Sequence, residues 1–339
     1  MTTAKVLAMV LAGGQGSRLR PLTENHAKPA IPFGRSYRLV DFVLSNLVNS
    51  GINSIYLLAQ YKPESLIWHI EDNWNLKSSG RDGFVSVVQP QHEQGEYYRG
   101  TADAVHKNLA LIERHAPPMV AIFAADHIYR MDVSQMVDFH RNCSADITIS
   151  ATRVPIESAS SFGIISVNAN GEIRDFQEKP ECPDAIPFHP DIAYASMGNY
   201  LFNTDVLVTS LEQALRDGET DFGRHILPRL IHSHHVHAYD FAENIIPGTQ
   251  PHEEPAYWRD VGTLDAYAAA HQDIIGHAPR FNLLNMHWPI LPTRFSPPSL
   301  FNENYAHSSK EKIRNFELPQ YAVSDAFSAE RDILQMGHA

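Results

Sequence analysis

The chain has 339 residues, 43% of them apolar and 19% charged, a composition that supports one sizeable core or two domains and excludes disorder over most of its length. Its formal net charge of −12 argues against a nucleic-acid partner, so any anionic ligand must be held by a few local cations. No stretch approaches the roughly 18 uninterrupted apolar residues of a membrane span, and the opening MTTAKVLAMVLAGG lacks a signal peptide's basic flank and cleavage pattern, so a cytoplasmic protein without a membrane partner is expected.

In chain order, short apolar runs rich in β-branched residues at Lys5 to Leu11, Ser54 to Gln60, Phe84 to Val88 and Met119 to Ala125 predict buried strands. Between them, Arg38 to Ser50, with Gly51 as its C-terminal cap, and Ala102 to His115 carry helical periodicity. The alternation predicts an α/β fold with a Rossmann-like mixed, mainly parallel sheet flanked by helices. From about residue 145 the strands crowd together, at Asp146 to Val154, Phe162 to Asn168, Glu172 to Gln177 and Gly198 to Phe202, and are expected to join the same sheet as antiparallel strands. One catalytic domain over 1–280 follows, in two halves at 1–145 and 146–280, with a tail over 281–339 rich in Pro, Asn, Ser and charge. The two cysteines, Cys143 and Cys182, form no disulfide framework or metal spacing and are expected to be packing residues.

The first strand runs into Gly13-Gly14-Gln15-Gly16-Ser17-Arg18-Leu19, where glycines let the backbone turn tightly and bring its amides close to a phosphate. It is neither a Walker A loop, which ends in Gly-Lys-Ser/Thr, nor the full dinucleotide fingerprint. Arg18 behind the loop suits bidentate contact with a triphosphate, and Lys28 can supply a second cation; the plainer reading is two solvated surface cations. Asp126 stands at the carboxyl end of its strand, where open α/β sheets bind ligands, and a triphosphate needs Mg²⁺ held by carboxylate oxygen. Asp260, in Tyr257-Trp258-Arg259-Asp260-Val261-Gly262-Thr263, could be the second carboxylate, although by itself it reads rather as a helix cap, a reading that for Asp126 stands level with the metal one. Glu178 and Lys179 end a strand side by side. Their side chains should point to opposite faces rather than form a mutual salt bridge, and could reach a sugar hydroxyl and its phosphate, unless they merely decorate an exposed edge.

Together with Arg38-Leu39-Val40-Asp41-Phe42-Val43-Leu44-Ser45-Asn46, Tyr98-Arg99-Gly100-Thr101-Ala102-Asp103-Ala104, the ADHIYRMD run from Ala125, SSFGIISV from Ser160 and ASMGNYLF from Ala195, these motifs resemble the bacterial glucose-1-phosphate adenylyltransferases of the sugar nucleotidyltransferase family, over about residues 5 to 290. The resemblance implies that ATP and glucose 1-phosphate are converted to ADP-glucose and pyrophosphate for glycogen or another α-glucan. It implies a nucleotide half and a sugar-phosphate half, Mg²⁺ on Asp126 and Asp260, and triphosphate neutralised by Arg18 and Lys28. Gly13, Gly14, Gly16 and Gly100 fall on the nucleotide side, with Gln89 as the adenine contact. Tyr98, Gly163, Glu178, Lys179 and Ser196 surround glucose 1-phosphate. The nearest rival is the same chemistry on another nucleotide or sugar; a catalytically silent regulatory subunit is disfavoured because Arg18, Lys28, Asp126 and Lys179 are all retained.

Three departures stand out. Asn25-His26 replaces basic residues that many relatives use for activators, Tyr97 replaces a tryptophan, and residues 291–339 lack the hexapeptide period of the family's C-terminal left-handed β-helix. A homo-oligomer is compatible with this, but the family's regulated tetramer is not expected. The run His232, His234, His235 and His237 is taken as incidental rather than as a metal site.

Overall fold

The computed structural model describes residues 5–34, 36–90, 97–187 and 189–291. The tail in which no β-helix is expected lies, from residue 292 onward, outside the described residues.

The first half alternates strand and helix. Strand β1 (Val6–Ala12) feeds the glycine loop; the two-residue strands β2 (Pro32–Phe33) and β3 (Tyr37–Arg38) precede α1 (Leu39–Asn49). Then come β4 (Ser54–Ala59), α2 (Glu64–Asn73), β5 (Phe84–Val88), α3 (Thr101–His106), α4 (Leu109–His115), β6 (Met119–Ala124), β7 (His127–Tyr129) and α5 (Val133–Asn142). Strands β1, β4, β5 and β6 are parallel, so their carboxyl ends all present loops at one rim. Burial on both faces explains why they read as continuous apolar runs. Along β1, Ala8 and Val10 pack in one core cluster with Val40, Leu44 and Leu47 of α1, while Leu7 and Met9 pack in another with Ala102, Val105 and Ile112 of α3 and α4.

The second half contains β8 (Ile147–Pro155), α6 (Ile156–Ala159), β9 (Gly163–Val167), β10 (Ile173–Glu178), β11 (Ile192–Asn203), α7 (Thr204–Asp217), α8 (Leu227–Leu230), β12 (Val236–Asp240), β13 (Trp258–Asp260) and α9 (Leu264–Asp273). The sheet runs β10-β9-β11-β6-β1-β4-β5, with β8 also on β11 and β12 on β8. Strand β11 is antiparallel to β6 at one end and to β9 at the other, so it joins the two halves within one sheet.

Two elements depart from the periodicity. The predicted helix from Ala102 to His115 is broken at Lys107 and Asn108, because the Asn108 amide donates to Ala104 O (2.8 Å) and to the Tyr98 hydroxyl (3.0 Å), competing with the helical ladder. Strand β11 has 12 residues, starting well before Gly198. A bulge between Ser196 and Tyr200, with Gly198 at φ 68°, interrupts its alternation and hides its first part. Cys182 is exposed, which corrects its reading as a packing residue: it lies in the loop after β10 rather than in an element. Cys143 is half-buried at the end of α5.

Candidate active site

The carboxyl rim of the parallel strands carries the glycine loop after β1, Gln60 after β4, Gln89 after β5 and Asp126 after β6. Gly16 takes a left-handed conformation (φ 61°), and a β-carbon there would stand 2.8 Å from Thr23 Cγ2 and 3.2 Å from Lys28 Cβ. The loop is therefore folded directly onto the lysine stem. Thr23 Oγ1 ties it down through Gly16 O (2.8 Å). Gln60, which the sequence reading passed over, donates to Gly13 O (3.4 Å) and accepts from Tyr98 N (2.6 Å), linking the glycine loop to the Tyr98 segment. Gly14 and Arg18 are exposed, whereas Lys28 is only 7% exposed, so for Lys28 the reading as a solvated surface cation fails.

Neither acid is a helix cap. Asp126 is followed by β7, and Asp132 caps α5; Asp260 ends β13, and Thr263 caps α9 by accepting from Ala266 N. The β7–β13 ladder pairs Asp260 with His127, which brings the second carboxylate beside the first. Lys28 Nζ lies 2.7 Å from Asp126 Oδ2 and 3.8 Å from Asp260 Oδ1, and His127 Nε2 lies 3.4 Å and 3.8 Å from Asp126 Oδ1 and Asp260 Oδ1. Burial opposes ionisation of Asp126, but the charges of Lys28 and His127 and hydrogen bonds from Lys28 and its own backbone outweigh it and hold the carboxyl well below the usual carboxylate range. Asp126, His127 and Asp260 can each offer one ligand atom within 4.8 Å of the others, and among the described residues this is the group able to hold a metal. The donors fit a hard divalent cation: two carboxylate oxygens with an ammonium already between them. Arg18 reaches the same place, since a β-carbon on Gly262 would stand 3.1 Å from Asp260 Oδ2 and 3.3 Å from Arg18 Nη2. The four histidines of the 232–237 run form no such group.

The buried frame under these groups is amide-built. Asn46 of α1 donates to Tyr129 O (3.2 Å) and accepts from Met131 N (3.0 Å), while Asn199 of β11 donates to the Tyr129 hydroxyl (3.1 Å). The β11 bulge meets this frame, since a β-carbon on Gly198 would lie 3.4 Å from Ala124 Cβ and 3.8 Å from His127 Cε1.

A second cluster lies on β9 and β10. Glu178 pairs with Gly163 in register, and a β-carbon on Gly163 would strike Phe176 Cζ at 2.7 Å and Glu178 Oε2 at 3.1 Å. Lys179 leaves the strand in a left-handed conformation (φ 52°), an uncommon one for a residue with a side chain. Its Nζ then returns to Glu178 Oε1 at 3.4 Å, which corrects the expectation that the two point to opposite faces: strand alternation stops at Glu178. On the neighbouring strand β11 the last pair with β9 is Ala195 with Ile164, so the next residues along each strand are Ser196 and Gly163. Ser196 is buried, and its Oγ accepts from Gly198 N (3.2 Å). The Thr220 to Gly223 segment, also passed over in the sequence, closes against this cluster: a β-carbon on Gly223 would stand 3.0 Å from Glu178 Oε2, and Thr101 donates to Asp221 Oδ2 (3.0 Å).

Tyr98 and Gly100 lie on the segment between the two clusters, tied through Gln60 to the glycine loop and packed against Thr220 on the Glu178 side, and Gln89 stands apart from both. Tyr98 is buried with its hydroxyl on Asn108. Gly100 is extended, and its lack of a side chain is explained by Thr220 O, which a β-carbon would meet at 2.3 Å. Gln89 is exposed after β5, two strands from β1. Tyr97 stacks on Tyr61 with ring centroids 5.9 Å apart. Beside Arg18 and Asp260 opens a cleft of about 580 Å³, walled by Phe162, Trp258, Gly262 and Thr263, which extends away from Asp126 rather than centring on it.

The nucleotidyl transferase family model matches residues 7–276, most of the chain and every one of these side chains. The chain belongs to the nucleotidyl transferase family. Members generally use a divalent metal, and this nucleotidyl transferase carries the Asp/His/Asp group that could hold one. It is 54% identical over 296 residues to a glucose-1-phosphate adenylyltransferase of Thermodesulfovibrio yellowstonii, covering 87% of this chain and 72% of the relative. It is 47% identical over 322 residues to the enzyme of that name from Thermus thermophilus (92% and 76% covered). The one designated glucose-1-phosphate adenylyltransferase 1 in Vibrio cholerae is 47% identical over 290 residues (85% and 71% covered). No helix among the described residues is long and apolar enough to cross a membrane.

Proposed function

We propose that this chain is a cytoplasmic glucose-1-phosphate adenylyltransferase that joins ATP and glucose 1-phosphate into ADP-glucose and releases pyrophosphate. The observation that carries the reading is the convergence of Lys28, Asp126 and Asp260 beneath the glycine loop, in a chain about half identical to enzymes of that name. Residues 1–145 act as the nucleotide half and 146–280 as the sugar-phosphate half of one catalytic domain, with β11 spanning them.

The sugar phosphate oxygen is already anionic, so its in-line attack on the α-phosphorus of ATP needs positioning and charge neutralisation more than a general base. The new P–O bond forms as the bond to the β-phosphate oxygen breaks, and both its electrons leave with pyrophosphate. Gly13, Gly14 and Gly16 offer backbone amides to the triphosphate, Arg18 and Lys28 offset its charge, and Gly100 and Gln89 complete the nucleotide side. Glu178 accepts from sugar hydroxyls while Lys179 binds the sugar phosphate; Tyr98, Gly163 and Ser196 shape that pocket. Mg²⁺, held by Asp126 and Asp260, supplies further neutralisation of the phosphates when bound. Incubating the purified protein with ATP, glucose 1-phosphate and Mg²⁺ should yield equimolar ADP-glucose and pyrophosphate. Absence of both products, with the protein folded, would refute the reading.

A further inference from the structure

Lys28 stands where a cation bridging the two acids would stand. Its Nζ is 2.7 Å from Asp126 Oδ2 and 3.8 Å from Asp260 Oδ1, and its side chain is 9% exposed. Its stem is packed beneath the glycine loop, with Cβ only 3.2 Å from the position of a β-carbon on Gly16. Its short helical turn, Lys28–Ala30, is fixed by the Arg38 guanidinium donating to Ala30 O. The ammonium is thus placed between two anionic clients, the acids it touches now and a triphosphate on the glycine loop.

We propose that Lys28 serves as the built-in counter-ion of the two carboxylates in the free protein, and that a divalent cation must displace its ammonium from Asp126 to bind there. A triphosphate on the loop gives the displaced ammonium a new partner, so metal and nucleotide assist each other's binding, and by linkage the assistance is mutual. Without nucleotide, the metal competes with a charge-assisted hydrogen bond and binds weakly. This rests on reading Asp126 and Asp260 as the metal carboxylates.

The test is Mn²⁺ binding to the nucleotide-free protein, read by titration calorimetry and by the EPR signal of free Mn²⁺. The proteins are wild type, Lys28→Met, Asp126→Asn and the double variant, with Lys28→Gln as an alternative should the Met variant misfold by circular dichroism. Removing the ammonium should tighten Mn²⁺ by about tenfold, the low end for a charge-assisted bond because Asp126 is partly exposed. Asp126→Asn should abolish that gain. If Lys28→Met binds Mn²⁺ no tighter than wild type while Asp126→Asn still weakens it, the metal site stands and the competition does not. If Asp126→Asn changes nothing in either background, the metal site and the competition both fall.

Discussion

In the proposed reaction Asp126 serves the nucleotide end and Lys179 the sugar-phosphate end. Asp126→Asn should keep its fold but lose more than tenfold in turnover, because an amide cannot supply the anionic oxygen that a divalent cation prefers. Steady-state pyrophosphate release and a circular dichroism spectrum check this, and an active Asn variant would remove Asp126 from the metal site. Lys179→Ala should weaken glucose 1-phosphate by about 10- to 150-fold and ATP far less, the worth of one charge-assisted hydrogen bond. An equal loss for both substrates would assign Lys179 to the fold or to the triphosphate. Asp126, Arg18, Lys28 and Glu178 were legible as candidates because they follow glycine-rich or strand-end positions, whereas Asp260 read by itself as a helix cap and became a candidate only through the family resemblance. Gln60, Asn46 and His127 were not assigned roles, since each works through backbone groups or a cross-strand partner far away in sequence.

At the scale of elements, the close approaches of glycines matter more than their φ angles. Gly100 is extended, so any residue could adopt its backbone there, yet a β-carbon would strike Thr220 O at 2.3 Å. Because backbone must move, Gly100→Ala should destabilise by about 1–3 kcal/mol, read as a lower urea midpoint. An unchanged midpoint would mean that the 220 loop yields freely. The parallel strands were readable from their apolar runs, and their doubly buried faces explain why. The break at Asn108 and the first part of β11 were not, because a side-chain amide and a bulge interrupt periodicity without changing composition. Similarly, the β7–β13 ladder, three residues on each strand, is too short to leave a period, although it brings Asp260 to the site.

Across the whole molecule, stability should depend on pH through buried imidazoles. Burial lowers His140 and His271 below their ordinary value of 6.5, and lowers His237 as well, so the unfolded chain takes up protons that the folded chain refuses. The unfolded state binds more protons in that window, so stability is present above about pH 6.5 and is lost as pH falls toward the lower folded values. The urea midpoint should therefore drop between about pH 7.5 and pH 5.5, before most carboxylates titrate; a flat profile would show these rings accept protons without cost. The larger claim is that the rim of the sheet and the β9–β11 cluster together select ATP and glucose 1-phosphate. The most direct test is pyrophosphate release measured across ATP, UTP, GTP and dTTP, each paired with glucose 1-phosphate and with other hexose 1-phosphates. The account predicts that ATP with glucose 1-phosphate has the highest kcat/KM, by at least about tenfold; a preference for another nucleotide or another sugar phosphate would contradict it.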